Sequence, residues 1–239
     1  MNYAGILAGG SGSRMGATER PKQFLHLGAV GTPIIVHTVR AFLQAPGIDR
    51  IVVAAPAAWL EYTQVLMAEN FTAEQAARID CIAGGTLRSD TIECICAHIE
   101  RTYGLSEQDI LVSHDAVRPF VTQRIIAENI ALAEQGFCTD TVVAAVDTIV
   151  VSEDGVEASE IPPRSQFYQG QTPQSFPIVQ YRQAFAALSA EQQTALTDAC
   201  KVYLTNNLPV KLVMGEYSNM KITTVSDLSV AEELMARFE

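Results

Sequence analysis

Residues 4–16 read Ala-Gly-Ile-Leu-Ala-Gly-Gly-Ser-Gly-Ser-Arg-Met-Gly, and this stretch decides the fold. Its first part belongs to an apolar run from Tyr3 to Ala8, which predicts a buried strand. Four glycines then fall among residues 9–16. Glycine permits positive φ angles and a close approach of the main chain to a ligand, and successive N–H groups in such a loop form an anion-binding nest. The stretch therefore predicts a first strand that ends in an anion-binding loop.

Two cations, Arg14 and Lys22, lie in this loop and just after it. A nest of N–H groups with two cations suits a triphosphate. Neither common glycine-rich fingerprint matches, since G-x-x-x-x-G-K-[ST] is absent and Gly10-x-Gly12-x-x-x-Gly16 misses the dinucleotide spacing by one residue. On the glycines alone, a flexible turn after the first strand is the alternative interpretation.

The composition argues against several classes of protein. The chain has 239 residues and a formal net charge of −11, whereas proteins that bind nucleic acid carry clustered Lys and Arg. An anionic substrate must therefore be held by a few well-placed cations. The five cysteines show no Cys-x-x-Cys spacing, which indicates free thiols in a reducing compartment, the cytoplasm. The N-terminus has no basic region and no long apolar run, so we expect no signal peptide and no membrane span.

Short apolar, β-branched runs alternate with helical patterns along the chain. Residues 51–55, Ile-Val-Val-Ala-Ala, are apolar throughout, as is typical of a parallel strand covered on both faces. The alternation predicts right-handed βαβ units and an α/β fold, with a mostly parallel central sheet flanked by helices, in a single domain over residues 1–239. We expect strands at 3–8, 51–55, 78–83, 109–113, 141–146 and 210–214. We expect helices at 34–44, 57–70, 89–103, 122–135, 177–188, 190–205 and 226–238.

The sequence also marks the start of the first helix. Thr32-Pro33 predicts a helix N-cap followed by proline at the first helical position.

Residues 147–171 hold two short strand-like pieces around the turn signal Ser152-Glu153-Asp154-Gly155, and no helix fits there. We interpret them as a β-arm that projects from the sheet and pairs with a partner, because exposed strand edges need covering. An ordinary surface hairpin is the alternative.

The unusual polar residues follow the predicted strands, where ligands bind in open α/β sheets. Residues 84–91, Gly-Gly-Thr-Leu-Arg-Ser-Asp-Thr, follow the third strand, and residues 114–119, His-Asp-Ala-Val-Arg-Pro, follow the fourth. A carboxylate beside a phosphate nest indicates a divalent cation, because Mg²⁺ is held by one or two carboxylates plus substrate phosphates. Asp115 is therefore a candidate Mg²⁺ ligand. A loop cap or an ion pair with Arg118 is the alternative.

More polar motifs occur in the second half of the chain. They are Arg164, residues 169–174 (Gln-Gly-Gln-Thr-Pro-Gln), Thr197-Asp198 and residues 219–223 (Asn-Met-Lys-Ile-Thr). Each of them alone has an ordinary explanation, such as a surface arginine, a helix cap or a solvated lysine. Their occurrence together, in this order, favours a functional site.

Residues 7–16 together with Pro21-Lys22-Gln23 resemble the signature of nucleotidyltransferases that make activated sugars and alditols. The Pro-Lys-Gln ending is typical of the cytidylyltransferase family, and the later motifs match that family from Tyr3 to Leu228. The resemblance implies a Rossmann-like nucleotidyltransferase fold and a homodimer whose arms clasp and reach toward the partner's site. It also implies transfer of a cytidylyl group from CTP to an alditol phosphate, with Mg²⁺ or another divalent cation as cofactor.

The resemblance implies a role for individual residues. Arg14 and Lys22 would stabilise the transition state at the α-phosphate, and Asp115 would face the Mg²⁺. Arg164 and Lys221, the other two expected catalytic residues, would orient the alditol phosphate. The residues expected to bind the two substrates are Leu7, Ala8, Gly9, Gly10, Gly85, Thr86, Arg88, Thr91, Ala116, Arg118, Thr172 and Thr197.

Small motifs distinguish two branches of this family by their acceptor. The branch that uses 2-C-methyl-D-erythritol 4-phosphate, in isoprenoid synthesis, usually has Ala at position 117, an acidic residue at 199 and Asp at 218, where this chain has Val117, Ala199 and Ser218. Residues 168–174, 197–201 and 215–219 resemble the ribitol branch instead. We therefore expect D-ribitol 5-phosphate as the acceptor and CDP-ribitol, a precursor of polymers such as teichoic acids, as the product. The methylerythritol phosphate enzyme is the alternative.

Two other classes stay open on the sequence. A nucleotide-binding regulator without catalysis would bind CTP and release no pyrophosphate, although the presence of every expected catalytic residue argues against it. A glycosyltransferase with a similar sheet usually needs an Asp-x-Asp motif, which this sequence lacks.

Overall fold

The computed structural model describes residues 1–9 and 20–237. The strands are β1 (Asn2–Leu7), β2 (His26–Leu27), β3 (Thr32–Pro33), β4 (Arg50–Ala55), β5 (Ile79–Ala83), β6 (Ile110–Asp115), β7 (Cys138–Ala144), β8 (Tyr168–Pro177) and β9 (Val210–Met214). The α-helices are α1 (Ile34–Leu43), α2 (Leu60–Asn70), α3 (Ala73–Ala76), α4 (Arg88–Tyr103), α5 (Gln123–Ala133), α6 (Ile178–Ala186), α7 (Ala190–Thr194), α8 (Cys200–Thr205) and α9 (Val225–Met235).

Seven of these strands form one sheet in the order β5-β4-β1-β6-β8-β7-β9. All neighbouring strands in it are parallel except β8, which runs antiparallel to both β6 and β7. Strand β1 lies between β4 and β6, so the chain builds the sheet outward in one direction and then returns to the other side of β1. Ligands bind at such a switch point, beyond the carboxyl ends of the strands.

Helices cover both faces of the sheet, and side chains alternate between them. Ile51 and Val53 of β4 pack toward α1, α2 and α5, whereas Val52 and Ala54 pack toward α4, α6 and α8. The central strands are buried on both faces, which explains their continuous apolar sequence. The α/β fold expected from the sequence, with a mostly parallel sheet flanked by helices, is confirmed.

Strand β8 is the main element that the sequence did not predict. We expected residues 169–174 to be a motif after the arm, whereas Tyr168–Pro177 is a ten-residue strand between β6 and β7. Its inward residues include Gln171, Thr172, Gln174 and Ser175, so no apolar alternation marks it. Side-chain hydrogen bonds satisfy several of these residues, for example from Gln174 to Asp140 of β7.

The segment between β7 and β8 differs from the predicted arm. Its pairing consists of one isolated antiparallel bridge, Val151 with Glu160, and a short 3₁₀ helix covers Arg164–Gln166. The two expected strand pieces are therefore absent from this described segment. Its apolar side chains face outward, with Val156 86% exposed and Ile161 65% exposed. A role for this segment in dimerisation stays a prediction.

The first helix begins differently from its predicted start. Thr32–Pro33 forms the short strand β3, which pairs antiparallel with β2, and Pro33 is the N-cap of α1 instead of its first residue. The hairpin prevails because the N–H of Ile34 donates to the carbonyl of Leu25, which holds Thr32–Pro33 extended. Helix α9 packs on this hairpin, and the same cluster contains Ile222, next to the predicted site residue Lys221.

Two expectations from the composition concern cysteines and membranes. All five cysteines are free thiols, and Cys138 Sγ and Cys200 Sγ lie 3.8 Å apart in the core. Across the described part of the chain, no helix has the length and apolar character that spanning a bilayer demands.

The contribution of the packed core around β1 to stability can be tested by substituting Ile6. Its side chain is fully buried, so Ile6→Ala removes contacts and leaves a cavity, and we expect the free energy of unfolding to fall by about 2–5 kcal/mol. Urea denaturation measures this change. Val65→Ala, at a half-exposed position of α2, is the control and changes stability by less than about 0.5 kcal/mol. Equal effects of the two substitutions would contradict this description of the core.

Candidate active site

A cleft of about 290 Å³ opens at the carboxyl ends of β1 and β6. Leu7 of β1 pairs with Asp115 of β6, so the end of the first strand lies directly beside this carboxylate. The switch point of the sheet and the cleft therefore coincide, as expected for a ligand site. The cleft is lined by Leu7, Ala8, Gly9, Lys22, Gln23, Gly85, Thr86, Leu87, Arg88, Thr91, Asp115, Ala116, Val117 and Lys221.

Three cations surround the carboxylate of Asp115, whose residue is 5% exposed. Arg88 Nη1 lies 2.5 Å from Oδ1, Lys221 Nζ lies 2.9 Å from Oδ2, and Arg118 Nε lies 3.4 Å from Oδ2. These cations come from the start of α4, from the loop before α9 and from the turn after β6. One buried carboxylate thus brings together three separate segments of the chain.

The pKa of Asp115 reflects a competition between burial and charge. Burial raises the pKa of Asp115, but the positive charges of Arg88, Lys221 and Arg118 together lower it by more. The pKa therefore lies well below its ordinary range. Asp115 is therefore ionised at every pH at which the protein is expected to work. The single negative charge of Asp115 cancels only part of the charge of the three cations. The cluster is therefore positive overall, which favours binding of an anion in the cleft.

A chain of hydrogen bonds behind Asp115 fixes the end of β6. His114 Nε2 lies 3.0 Å from the carbonyl oxygen of Arg118, and His114 Nδ1 lies 3.0 Å from Thr172 Oγ1. Because the carbonyl only accepts, Nε2 carries the proton, and the Thr172 hydroxyl then donates to Nδ1. Thr172 Oγ1 also accepts from the N–H of Asp115 at 3.1 Å. The neutral form of His114 satisfies every partner in this chain.

Asn219 connects the last loop to the same core. Its side-chain Nδ2 donates to the main-chain carbonyl of Thr172 at 2.9 Å and to Gln171 Oε1 at 3.0 Å, and its main-chain carbonyl accepts from Arg118 Nη1 at 2.8 Å. The side chain is fully buried. Asn219 belongs to a motif that the sequence singled out, but its role in placing Lys221 was not predicted.

The glycine-containing segment before α4 forms one wall of the cleft. A Cβ at Gly85 would collide with Asp90 in the first turn of α4, so this position requires glycine. Asp90 Oδ2 accepts from the N–H of Leu87, and Thr91 Oγ1 accepts from the N–H of Gly85. These bonds hold the N-terminus of α4 at the cleft, where helix dipoles attract anions.

The structure brings most of the expected site residues to the cleft and places others behind it or away from it. Arg118 and Thr172 are buried behind Asp115. Thr197 is exposed just before α8. Arg164 is exposed beyond the sheet, where its guanidinium donates to the carbonyl of Val146. Gly10 and Arg14 lie outside the described residues.

Three residues that line the cleft, Gln23, Leu87 and Val117, were not among the site residues expected from the sequence. Gln23 belongs to the quoted Pro-Lys-Gln motif, and its Nε2 donates to the carbonyl of Ala8 at 2.6 Å, which holds the strand end in place. Val117 follows Asp115 and lines the cleft through its position alone. The signal for Gln23 was its place in the motif, whereas an apolar residue such as Val117 gives no chemical signal.

Comparison with known proteins assigns the family. The family model described as 2-C-methyl-D-erythritol 4-phosphate cytidylyltransferase matches residues 3–237. The chain belongs to this family.

Solved structures agree with this assignment. The 4-diphosphocytidyl-2C-methyl-D-erythritol synthase of Anaerococcus prevotii is 25% identical, with a TM-score of 0.76 over 99% of this chain and 96% of that one. The 2-C-methyl-D-erythritol 4-phosphate cytidylyltransferase of Thermus thermophilus is also 25% identical, with a TM-score of 0.74 over 99% and 100% of the chains. The enzyme of that name from Francisella tularensis is 23% identical, with a TM-score of 0.75 over 97% and 98%, and supports the fold.

The sequence predicts a divalent cation at Asp115, and this residue provides the carboxylate among the described residues that line the cleft. No cluster of three or more His, Cys, Asp or Glu residues suited to a metal occurs within residues 1–9 and 20–237. Glu216, near the position of the missing Asp at Ser218, accepts from Arg124 and Thr122 and does not line the cleft. Mg²⁺ would therefore use Asp115 together with nucleotide phosphates and water, a donor set that this ion commonly takes.

The hydrogen-bond chain behind Asp115 predicts a pH dependence of stability. Burial is the main cause that lowers the pKa of His114 from 6.5 to about 4. Between these values the unfolded chain binds a proton that the folded protein does not, so stability decreases as the pH falls through this window. At 1.36 kcal/mol per unit of pKa, His114 contributes about 3 kcal/mol to this decrease.

The measurement is urea denaturation at several pH values between 4 and 8. We expect His114→Gln to reduce the loss of stability toward pH 4, whatever its effect at pH 8. His26→Gln, at an exposed position, is the control and should show the same dependence of stability on pH as wild type. The same slope in wild type and His114→Gln would show that His114 is not held neutral.

Proposed function

We propose that this member of the cytidylyltransferase family transfers the cytidylyl group of CTP to an alditol phosphate. The observation that supports the proposal most is the cluster of Arg88, Arg118 and Lys221 around the ionised Asp115, at the switch point of the sheet. The cluster provides local positive charge in a protein with a net charge of −11, so it selects an anionic ligand at one place. Glycine-rich strand ends beside it suit the phosphates of a nucleotide.

The proposed reaction needs little from the protein beyond position and charge. A phosphate oxygen of the acceptor forms a bond to the α-phosphorus of CTP, and the bond from that phosphorus to the bridging oxygen breaks, with its electron pair leaving on pyrophosphate. The acceptor oxygen is already a nucleophile, so no general base is required. Lys22, and by resemblance Arg14, would stabilise the negative charge that develops at the α-phosphate.

Asp115 and the cations near it would organise the rest of the cleft. Mg²⁺, when bound by Asp115 and the phosphates, would neutralise charge on the nucleotide and on pyrophosphate. Arg88 and Lys221 contact Asp115 and line the cleft, so both are placed to bind phosphate oxygens of the substrates. Arg118 is buried, and its contacts with Asp115 and Asn219 fit a supporting role behind the substrates.

We propose D-ribitol 5-phosphate as the acceptor. The support comes from the motifs around Gln171, Cys200 and Ser218, which resemble the ribitol branch. The second candidate, 2-C-methyl-D-erythritol 4-phosphate, is favoured by the description of the family model and by the names of the similar structures, so the comparisons support it better than the first. The two candidates differ only in the polyol end of the acceptor.

We also propose that the chain is a single catalytic domain that works as a homodimer. The outward apolar side chains between β7 and β8, such as Val156 and Ile161, fit a surface covered by a partner. Arg164 lies in the same segment and, within one chain, makes its described contact with Val146 outside the cleft. A dimer would let Arg164 and its neighbours approach the acceptor phosphate at the partner's cleft.

The first test compares the two candidate acceptors. We expect purified protein with CTP and Mg²⁺ to release pyrophosphate faster with D-ribitol 5-phosphate than with 2-C-methyl-D-erythritol 4-phosphate at equal concentration. A strong preference for methylerythritol phosphate would replace our acceptor by the second candidate. Binding of CTP without pyrophosphate release from either acceptor would favour a non-catalytic nucleotide-binding protein.

Lys22 offers a test of the proposed transition-state stabilisation. Lys22→Ala should lower kcat roughly a hundred- to a thousandfold, the usual effect of losing one group that binds developing charge, with little change in the far-ultraviolet circular dichroism spectrum. Lys211→Ala is the matched control, because Lys211 lies on the edge strand β9, against Phe137. A normal kcat for Lys22→Ala would remove Lys22 from the mechanism.

A further inference from the structure

A second carboxylate, that of Asp140, lies on the sheet face where α4 and α8 begin. Its neighbours in β7, Thr139 and Thr141, point to the other face, where both hydroxyls hydrogen bond to Asn129 of α5. Alternation along the strand therefore directs Asp140 to the opposite face. Asp140 is half-buried, so part of its carboxylate remains accessible from the surface.

The amide of Gln174 ties Asp140 to the start of α8. Gln174 Nε2 donates to Asp140 Oδ1 at 2.9 Å, and Gln174 Oε1 accepts from the N–H of Ala199 at 3.3 Å. Gln174 is 3% exposed and lies two residues after Thr172 on β8. One buried amide thus fixes the position of Asp140 relative to the segment that carries Thr197 and Asp198.

The other oxygen of Asp140 faces open space. Among the described residues, no hydrogen-bond donor reaches Asp140 Oδ2. Gly170 of β8, which pairs with Val142, is nearby, and a Cβ added to it would still lie 4.0 Å from Oδ2. The missing side chain at Gly170 leaves room beside this oxygen. Oδ2 is therefore a hydrogen-bond acceptor with a fixed position and space for a ligand group.

The register of the sheet places Asp140 on the same face as Asp115, because Gln174 pairs with Asp140 of β7 and with Ser113 of β6, two residues before Asp115. Burial raises the pKa of Asp140, the hydrogen bond from Gln174 lowers it, Asp198 raises it and Arg88 lowers it. Arg88 is the same residue that pairs with Asp115 in the cleft. This face of the sheet thus has a cationic end, at Arg88 and Lys221 in the cleft, and an anionic end, at Asp140 and Asp198 outside the cleft lining.

This polarity matches the chemistry of an alditol phosphate, which has a charged phosphate at one end and hydroxyl groups at the other. Carboxylates repel the phosphate and accept hydrogen bonds from hydroxyls. A buried carboxylate also disfavours a methyl group, which cannot replace the hydrogen bonds that the carboxylate loses with water. Ribitol phosphate carries an additional hydroxyl and no methyl branch, in contrast to methylerythritol phosphate.

We propose that Asp140 is a specificity-determining residue of the acceptor site, and that its Oδ2 accepts a hydrogen bond from a hydroxyl of the polyol chain. The inference rests on the proposed function and deepens it, because it says how that site distinguishes its acceptors. Gln174 acts as a positioning residue, which holds the carboxylate beside the start of α8.

Asp140→Asn tests the proposal with little change of shape. The Asn side-chain oxygen still accepts from Gln174, but an NH₂ group replaces Oδ2. We expect KM for D-ribitol 5-phosphate to rise roughly tenfold to a hundredfold, the loss typical of a hydrogen bond to a charged group, and KM for CTP to stay within about twofold. The ratio of kcat/KM for ribitol phosphate over methylerythritol phosphate should fall by at least about tenfold.

The controls separate this proposal from loss of folding and from failure of the proposed function. Glu69→Gln, at an exposed carboxylate of α2, should change none of these constants. An unchanged KM for ribitol phosphate in Asp140→Asn, or an equal rise in KM for CTP, would overturn the specificity role while wild-type turnover of ribitol phosphate upheld the function. Wild type that turns over only methylerythritol phosphate, with the same KM in Asp140→Asn, would overturn both the acceptor and the role of Asp140. Absence of turnover with either acceptor would overturn both proposals.

Discussion

The carboxylate of Asp115 must remain ionised although it is buried, and this constraint organises the cleft. A buried charge is tolerated only with partners that offset its lost hydration, and Asp115 receives Arg88, Arg118 and Lys221. Each cation comes from a different segment of the chain. The cleft can therefore form only when α4, the turn after β6 and the loop before α9 are all in place. The energetic requirement of one side chain thus couples the assembly of the site to the completion of the fold.

The neutral imidazole of His114 extends the same constraint into the sheet. It connects the turn after β6 to Thr172 of β8, and Thr172 in turn contacts Asn219 and the backbone of Asp115. All of these groups are buried, so each hydrogen bond is made in a medium where an unpaired polar atom is costly. The result is a rigid base under the carboxylate, which can hold charged groups at fixed positions before substrate arrives.

The sequence predicted the parallel half of the sheet well, because strands such as β4 are apolar on both faces and alternate with helices. It did not predict β8, whose buried residues are polar and whose suitability as a strand depends on partners distant in sequence, such as Asp140 for Gln174. Prediction of the site was limited in the same way, because it also relied on local patterns. Glycines and charged motifs identified the cleft, whereas the burial of Arg118 and the linking role of Asn219 depend on tertiary contacts that no local pattern reveals.

In the proposed reaction, the cationic end would bind phosphate and the end at Asp140 would bind the hydroxyls of the acceptor. Every acceptor phosphate and every nucleotide needs cations, so the cationic end is constrained by the shared reaction. The hydroxyl end meets the part of the acceptor that differs between substrates, and there one carboxylate on β7 can change the preference without disturbing the charges around Asp115. Asp140 and Asp115 belong to different strands. Arg88 forms an ion pair with Asp115, whereas it influences Asp140 only through its electric field. A change at Asp140 therefore alters which acceptor binds well, while the groups that stabilise the reaction stay in place.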